Sequence, residues 1–309
     1  MADRSTLVIG TRGSPLALAQ AHETQARLVA SLGLDAAQLP LSVIKTTGDA
    51  IQDRPLSEAG GKGLFTKELD IALLNGSIDV AVHSAKDLPT VLPEGLVIAG
   101  YLPREDVRDA FISHRASSVL DLPKGAVVGS ASLRRQAQIR RMRPDLQVTL
   151  LRGNVETRLA KLQNGVADAT LLAMAGLRRL GLTDRVTAVL DTDHFLPAVG
   201  QGAIAIVTRR DDERARDAVA SILDRDTGLA LAAERAFLAV LDGSCRTPIA
   251  GHARLTADGL LEMRGLVLRP DGSDAIEVVR SGGPEDAEAL GRDAGLDLRV
   301  RMPADFFAP

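Results

Sequence analysis

The chain has 309 residues, 45% hydrophobic and 25% charged, with 37 Lys plus Arg against 40 Asp plus Glu for a formal net charge of −3. That length exceeds what one hydrophobic core organises, so two or three domains are expected, and the composition excludes disorder and low-complexity tracts. Balanced charge confines any positive site to a local arrangement, and six Phe, one Tyr and no Trp leave little to stack nucleobases on, so a general nucleic-acid surface is excluded.

The opening Met1-Ala2-Asp3-Arg4-Ser5-Thr6 has no positive segment leading into an apolar stretch, and no later run approaches the roughly 18 apolar residues of a membrane span. A cytoplasmic protein with no membrane partner is therefore expected, and the single Cys245 agrees with a reducing compartment. Short apolar runs then alternate with helical patterns: a strand at Leu7 to Gly10, a helix opening at Ser14-Pro15, a strand at Leu41 to Lys45, a helix near Thr66 to Asn75 and a strand at Asp79 to His83. Ser14 is suited to cap the first helix and Pro15 to its first position, where a missing N–H costs nothing.

After a break at Leu102-Pro103-Arg104-Glu105-Asp106 the rhythm restarts. Strands are predicted at Ala126 to Gly129, Gln147 to Leu151 and Ala169 to Ala173, with helices after Ser132 and Asn154. Beyond the loop Pro197 to Gly202 a β-like run, Ala203 to Thr208, precedes two helices, the longer from Thr227 to about Leu241. From Ile249 the pattern changes to three β runs (Ile249 to Leu255, Leu260 to Leu268, Ala275 to Arg280) with turns at Asp258-Gly259 and Asp271-Gly272, a small antiparallel sheet. The division expected is an α/β domain from 1–102 and 203–220, a second from 106–196, and a smaller α+β domain from 225–309.

Chemistry-bearing residues gather where strands end. Val82-His83-Ser84-Ala85-Lys86-Asp87 leaves an apolar strand at its carboxyl end, where open α/β sheets place ligands; taken alone, His83 reads as a satisfied structural histidine. Ser130-Ala131-Ser132-Leu133-Arg134-Arg135 leaves another, with Ser132 placed to cap a helix whose first turn carries two arginines. Cations there oppose the helix macrodipole at about 0.3–1 kcal/mol each, a cost that makes sense if they bind anions together with the helix end. Arg152 and Arg158 follow the same layout, and Arg12 and Arg179 also stand near element ends, so the set describes a site for several carboxylates or phosphates. The run Gly60 to Phe65 lacks the Gly-Lys-Ser/Thr ending of a phosphate-binding loop and reads as a loop carrying Lys62. No dinucleotide fingerprint and no metal-ligand spacing occurs in the sequence, so neither nucleotide nor metal is expected. Cys245 sits in Gly243-Ser244-Cys245-Arg246-Thr247-Pro248, where small polar neighbours and Arg246 favour a thiolate available for covalent chemistry.

Thr11 to Ala17, Gly60 to Phe65, Val82 to Asp87, Ser132 to Arg135, Leu151 to Val155, Leu196 to Gln201 and Gly243 to Pro248, in this order over nearly the whole chain, closely resemble the porphobilinogen deaminase family. The resemblance implies two periplasmic-binding-protein-like α/β domains around a cleft, with a third domain presenting the cofactor cysteine. It implies a transferase that joins four porphobilinogen molecules, with loss of ammonia, on a dipyrromethane primer and releases linear hydroxymethylbilane by hydrolysis. Carried over by position, Cys245 bears the dipyrromethane through a thioether and Asp87 is the catalytic carboxylate. Ser14, Lys86, Asp87, Ser130, Ser132, Arg134, Arg135 and Arg158 meet the cofactor, and Arg12, Ser14, Lys62, Arg152, Arg158 and Arg179 the substrate. A monomer is expected on the same ground. The rival reading is a non-catalytic anion-binding or ligand-sensing protein of the same fold, which needs neither Cys245 nor Asp87.

Two departures from the family's pattern stand out. Ser130 replaces a more usual threonine but keeps the hydroxyl. Relatives tend to finish with an amphipathic helix, whereas Gly291 to Pro309 contains Gly291 and Gly295, alternating Leu298 and Val300, and a Phe306-Phe307 pair, which leaves the edge of the third domain open but not the active site.

Overall fold

In the computed structural model, which describes residues 6–50, 63–242 and 247–307, the described chain falls into two units. Residues 6–50, with 63–105 and 203–228, form one; 106–202, 229–242 and 247–307 form the other.

The first unit is built on a five-stranded sheet in the spatial order β2 (Leu41–Ile44), β1 (Ile9–Arg12), β3 (Val80–Ser84), β10 (Ile204–Arg209), β4 (Leu96–Tyr101), strands being numbered in chain order. β1 runs parallel to both neighbours, Ile9 opposite Leu41 on one side and Val80 on the other, while β10 is antiparallel to β3 and β4. Helices on both faces explain the apolar character of the strands. Ile9, Val80, Val82, Ile204 and Ile206 form a core with Leu28 of the helix Pro15–Leu32 and with Ala215 and Val219 of the helix Glu213–Ala220. The first helix begins as predicted, with the Ser14 hydroxyl accepting the N–H of Ala17, a cap worth about 1 kcal/mol. It stops at Gly33, whose left-handed φ of 65° lets its N–H reach the Val29 carbonyl.

The second unit repeats that order. Its sheet runs β7 (Gln147–Thr149), β6 (Val127–Gly129), β8 (Ala169–Ala173), β5 (Asp109–Ser113), β9 (Ala188–Val189). Here β6 is parallel to β7 and β8, while β5 is antiparallel to β8 and β9. In each sheet the first of the parallel strands lies between the other two, with crossover helices joining them. Their carboxyl ends therefore emerge together at one edge, which is where Arg12, Lys86 and Asp87 stand in the first unit and Ser130, Ser132 and Arg152 in the second.

The three-stranded antiparallel sheet β11 (Ile249–Leu255), β12 (Leu261–Leu268), β13 (Ala275–Gly282) belongs to the second unit. Both predicted turns are present, with Gly259 at φ 84° and Gly272 at φ 78°. Gly272 answers a second demand: a Cβ there would lie 2.6 Å from the Arg141 nitrogen and 2.7 Å from the Ala137 carbonyl. The β12–β13 turn thus sits directly on the helix Leu133–Met142, where Arg140 donates to the Pro270 carbonyl at 2.7 Å. Ala137, Leu196, Ala250, Leu266 and Leu268 close the core beneath it.

The sequence reading passed over β4 and β5, which flank the Leu102–Asp106 break. The five residues of β5 are all buried, but Asp109 and Ser113 at its ends disguise an apolar run of only three. The sequence leaves the chain end open. Ala287–Arg301 is a helix after all, and its two glycines are the contact: a Cβ on Gly291 would stand 2.0 Å from the Ala233 carbonyl, and one on Gly295 2.8 Å from Val240 Cβ. Glycine costs roughly 1 kcal/mol in a helix interior, and here it admits the backbone of the helix Arg225–Val240. Leu298 is buried and Val300 exposed, which is the outcome of helical rotation rather than strand alternation.

Candidate functional site

In the first unit the site is assembled by the ends of β1 and β3. The Arg12 guanidinium lies 4.2 Å from the centre of the Phe65 ring, and its Nη1 is 3.7 Å from Asp87 Oδ2. Phe65 is itself braced, since a Cβ on Gly48 would come within 2.4 Å of its ring and the Gly48 N–H donates to the Leu64 carbonyl at 2.8 Å. The sheet therefore presents a cation and a carboxylate side by side, the cation seated on an aromatic face. Lys86 and Asp87 occupy the short 3-10 turn Ala85–Asp87, and Gln20 from the first helix donates to the Ser84 hydroxyl at 2.9 Å, fixing the strand end behind them.

His83 departs from the structural reading. It is buried, yet its Nε2 has no hydrogen-bond partner among the described residues. Burial, aided by the nearby Arg12 charge, pushes its pKa from 6.5 down to about 4. The unfolded chain takes up this proton near pH 6.5 and the folded one only near 4, so the stability held by neutral His83 is lost as pH falls through that window. At pH 5 the loss amounts to about 2 kcal/mol. Urea unfolding of the native protein and of His83→Gln at pH 7 and pH 5 checks this: the native protein should lose that much more on acidification than the variant. Equal losses would assign the acid sensitivity to other groups.

In the second unit Ser132 caps the helix Leu133–Met142 as predicted, accepting the Arg135 N–H, and the Ser130 hydroxyl accepts the Ser132 N–H at 3.2 Å. Arg134 and Arg135 are not displayed on a surface: both are buried against Asp109, with Arg134 Nη2 2.8 Å from Oδ2 and Arg135 Nη2 2.6 Å from Oδ1. Arg134 also donates to the Leu196 carbonyl at 2.8 Å and faces the Phe195 ring at 5.7 Å, while Arg135 donates to the Leu171 carbonyl at 3.0 Å. Asp109 and Gln201 were not singled out in the sequence as site residues. No local signal marks Asp109, since its arginine partners, Arg134 and Arg135, are both distant in sequence, the latter by 26 residues.

The remaining arginines come from one loop and two helices of the same unit. Arg152 is buried in the turn between β7 and the helix Val155–Gln163. Arg158, in the first turns of that helix, folds its Nε back to the Gly153 carbonyl at 2.8 Å. Arg179, at the end of the helix Met174–Arg179, sends both terminal nitrogens to the Gly202 carbonyl at 3.2 Å. Ser14 stays beside Arg12 as the first helix's cap. Lys62 and Cys245 lie outside the described residues. Among the described residues no cluster of His, Cys, Asp and Glu could hold a metal ion.

Comparison with known proteins gives these features a context. Residues 7–217 match the family model described as porphobilinogen deaminase, dipyromethane cofactor binding domain, and residues 229–299 that of the porphobilinogen deaminase C-terminal domain. The chain is 60% identical to the porphobilinogen deaminase of Nitrobacter hamburgensis over 97% of this chain and 94% of that one. It is 58% identical to that of Paracoccus denitrificans over 97% of this chain and 95% of the other. Among solved structures it is similar to the VFT2 domain of Bordetella pertussis BvgS, at 17% identity and a TM-score of 0.43, covering 76% of this chain and 94% of that one.

Proposed function

The chain belongs to the porphobilinogen deaminase family, and from that premise we propose that its strand-end cations hold the acetate and propionate groups of porphobilinogen and its oligomers, while Asp87 stabilises the cationic pyrrole. It is a deaminating transferase of tetrapyrrole biosynthesis, a hydroxymethylbilane synthase, and family membership sets aside the non-catalytic alternative. Its cofactor class is dipyrromethane; the thioether to Cys245 is part of the proposal.

The described residues fit that cofactor. Arg134 Nε is buried with no hydrogen-bond partner, on a guanidinium whose other contacts are the Leu196 carbonyl and Asp109. A cationic N–H left unmade in the interior carries the full cost of its desolvation, and a ligand carboxylate is the partner it lacks. Bound there, the dipyrromethane supplies a nucleophilic pyrrole α-carbon. Ser14, Lys86, Ser130, Ser132, Arg135 and Arg158 are proposed to complete its binding, with Arg12, Lys62, Arg152, Arg158 and Arg179 taking the carboxylates of incoming substrate. Loss of ammonia from the substrate leaves positive charge spread over its pyrrole, and the Asp87 carboxylate, partly exposed and only 3.7 Å from Arg12, has oxygen lone pairs to accept the pyrrole N–H.

The observation that carries the proposal is the Asp87 carboxylate beside Arg12 at the ends of β3 and β1, a feature that a receptor for anions would not require. Incubating the purified protein with porphobilinogen should release four ammonia molecules per linear tetrapyrrole formed. Stoichiometric binding of porphobilinogen without ammonia release would return the protein to the anion-binding class. The same reading takes the protein as a cytoplasmic monomer without nucleic-acid partners.

A further inference from the structure

The buried cluster around Asp109 holds a carboxylate to which the proposed function gives no role. Arg134 and Arg135 stand next to each other in the first turn of one helix, where both the macrodipole and their mutual repulsion oppose them. Burial lowers the Arg134 pKa, and without compensation two buried guanidiniums would splay apart or admit water. Asp109 supplies the compensation. Fully buried at the start of β5, it accepts Arg135 Nε at 3.0 Å and Nη2 at 2.6 Å on Oδ1, and lies 2.8 Å from Arg134 Nη2 through Oδ2. Burial alone would raise its pKa, but the two guanidiniums overcome that and hold it down at about 2, so the carboxylate stays ionised.

The cluster is anchored from a third direction. Gln201 Nε2 bridges the Val107 carbonyl at 2.7 Å and Asp109 Oδ1 at 3.2 Å. Its neighbour Gly200 donates its N–H to the buried Glu234 at 2.7 Å, and Glu234 accepts the Ala253 N–H of β11 at 2.8 Å. One run of buried hydrogen bonds therefore links the small antiparallel sheet, the Pro197–Gly202 loop and the arginine pair.

We propose that Asp109 is the positioning residue of the anion site: it fixes the planes of both guanidiniums so that Arg134 Nε is directed to a ligand carboxylate, and it cancels one of their two charges so that the pair takes a single carboxylate. This rests on the reading of the site given under Proposed function. Arg135 has its Nε and both terminal nitrogens engaged by Asp109 and Leu171. Arg134, as deeply buried, keeps its Nε as a donor to offer.

The test is Asp109→Asn, close in shape but uncharged, compared with the native protein by three readouts: the fraction of purified protein carrying the dipyrromethane, counted by intact mass; KM and kcat for porphobilinogen; and Tm. The expected result is a loaded fraction less than half that of the native protein and a KM raised at least tenfold, with kcat per loaded molecule within threefold. A lowered Tm with loaded fraction and KM both within twofold of native would show Asp109 to be structural only, and would overturn the proposal. If the asparagine variant does not accumulate in folded form, Asp109→Glu takes its place, keeping the charge but moving it by one methylene. A tenfold rise in KM would again be expected, and an unchanged KM would again refute the role. The native protein serves as the control for the underlying reading: no adduct and no ammonia from it would reject the function itself, whatever the variants do.

Discussion

Replacing Cys245 with alanine should yield a protein that carries no pyrrole adduct and turns over porphobilinogen at background. In the native protein, by contrast, intact mass should show the increment of two linked pyrroles. The proposed tether is permanent. A thioether is not broken by the hydrolysis that releases the product, so one primer serves every cycle, and no other side chain offers the same attachment in a chain with a single cysteine. Attack by the sulfur requires thiolate character, and Arg246, next in sequence, favours it. Because the substitution removes a single sulfur atom, little change in stability is expected, and Tm should remain within a few degrees. Wild-type turnover in Cys245→Ala would refute the tether. A native protein still unmodified after incubation with porphobilinogen would do the same from the other side.

What could be read from the sequence divides along the range of the interactions involved. The Ser14 and Ser132 caps, Pro15 in the first turn, and the Asp258-Gly259 and Asp271-Gly272 turns all stand in the structure, because each is decided by atoms within a few residues. The strand ends that carry Arg12, Asp87, Ser130 and Arg152 were legible for a related reason: short apolar runs followed by polar residues mark the carboxyl edge of a parallel sheet. Residues whose meaning is tertiary were not legible. Asp109 looks like an ordinary loop acid until β5 carries it under a helix that begins 24 residues later. Gly291 and Gly295 looked like helix breakers because the helix they touch, Arg225–Val240, lies some fifty residues away in sequence. The arginine pair illustrates both cases. Its place at a helix start was apparent, but Asp109, the carboxylate buried against it, was not.

Asp87→Asn is the variant expected to cost most within an otherwise intact site, at least about a hundredfold in kcat, by analogy with the loss of one preorganised electrostatic group. Asparagine keeps the shape of the side chain and one acceptor oxygen, so a substrate held by its carboxylates on the arginines should still bind, and KM should change less than kcat. What the amide cannot do is oppose the positive charge that develops on the pyrrole once ammonia leaves. That charge exists only along the reaction path, so the loss falls on the transition state. Arg12 is the neighbour most affected: its Nη1 stands 3.7 Å from the carboxylate and its guanidinium rests on Phe65 at 4.2 Å, so the ring should hold the cation in place when the carboxylate is neutralised. If the protein builds its primer from substrate, as the family resemblance implies, the loaded fraction should fall in this variant too. Turnover must therefore be expressed per loaded molecule, counted by intact mass. A hundredfold deficit on that basis, with KM nearly unchanged, would place Asp87 on the reacting pyrrole. Near-normal turnover per loaded molecule would confine it to pairing with Arg12 and leave the cation to be stabilised by another group.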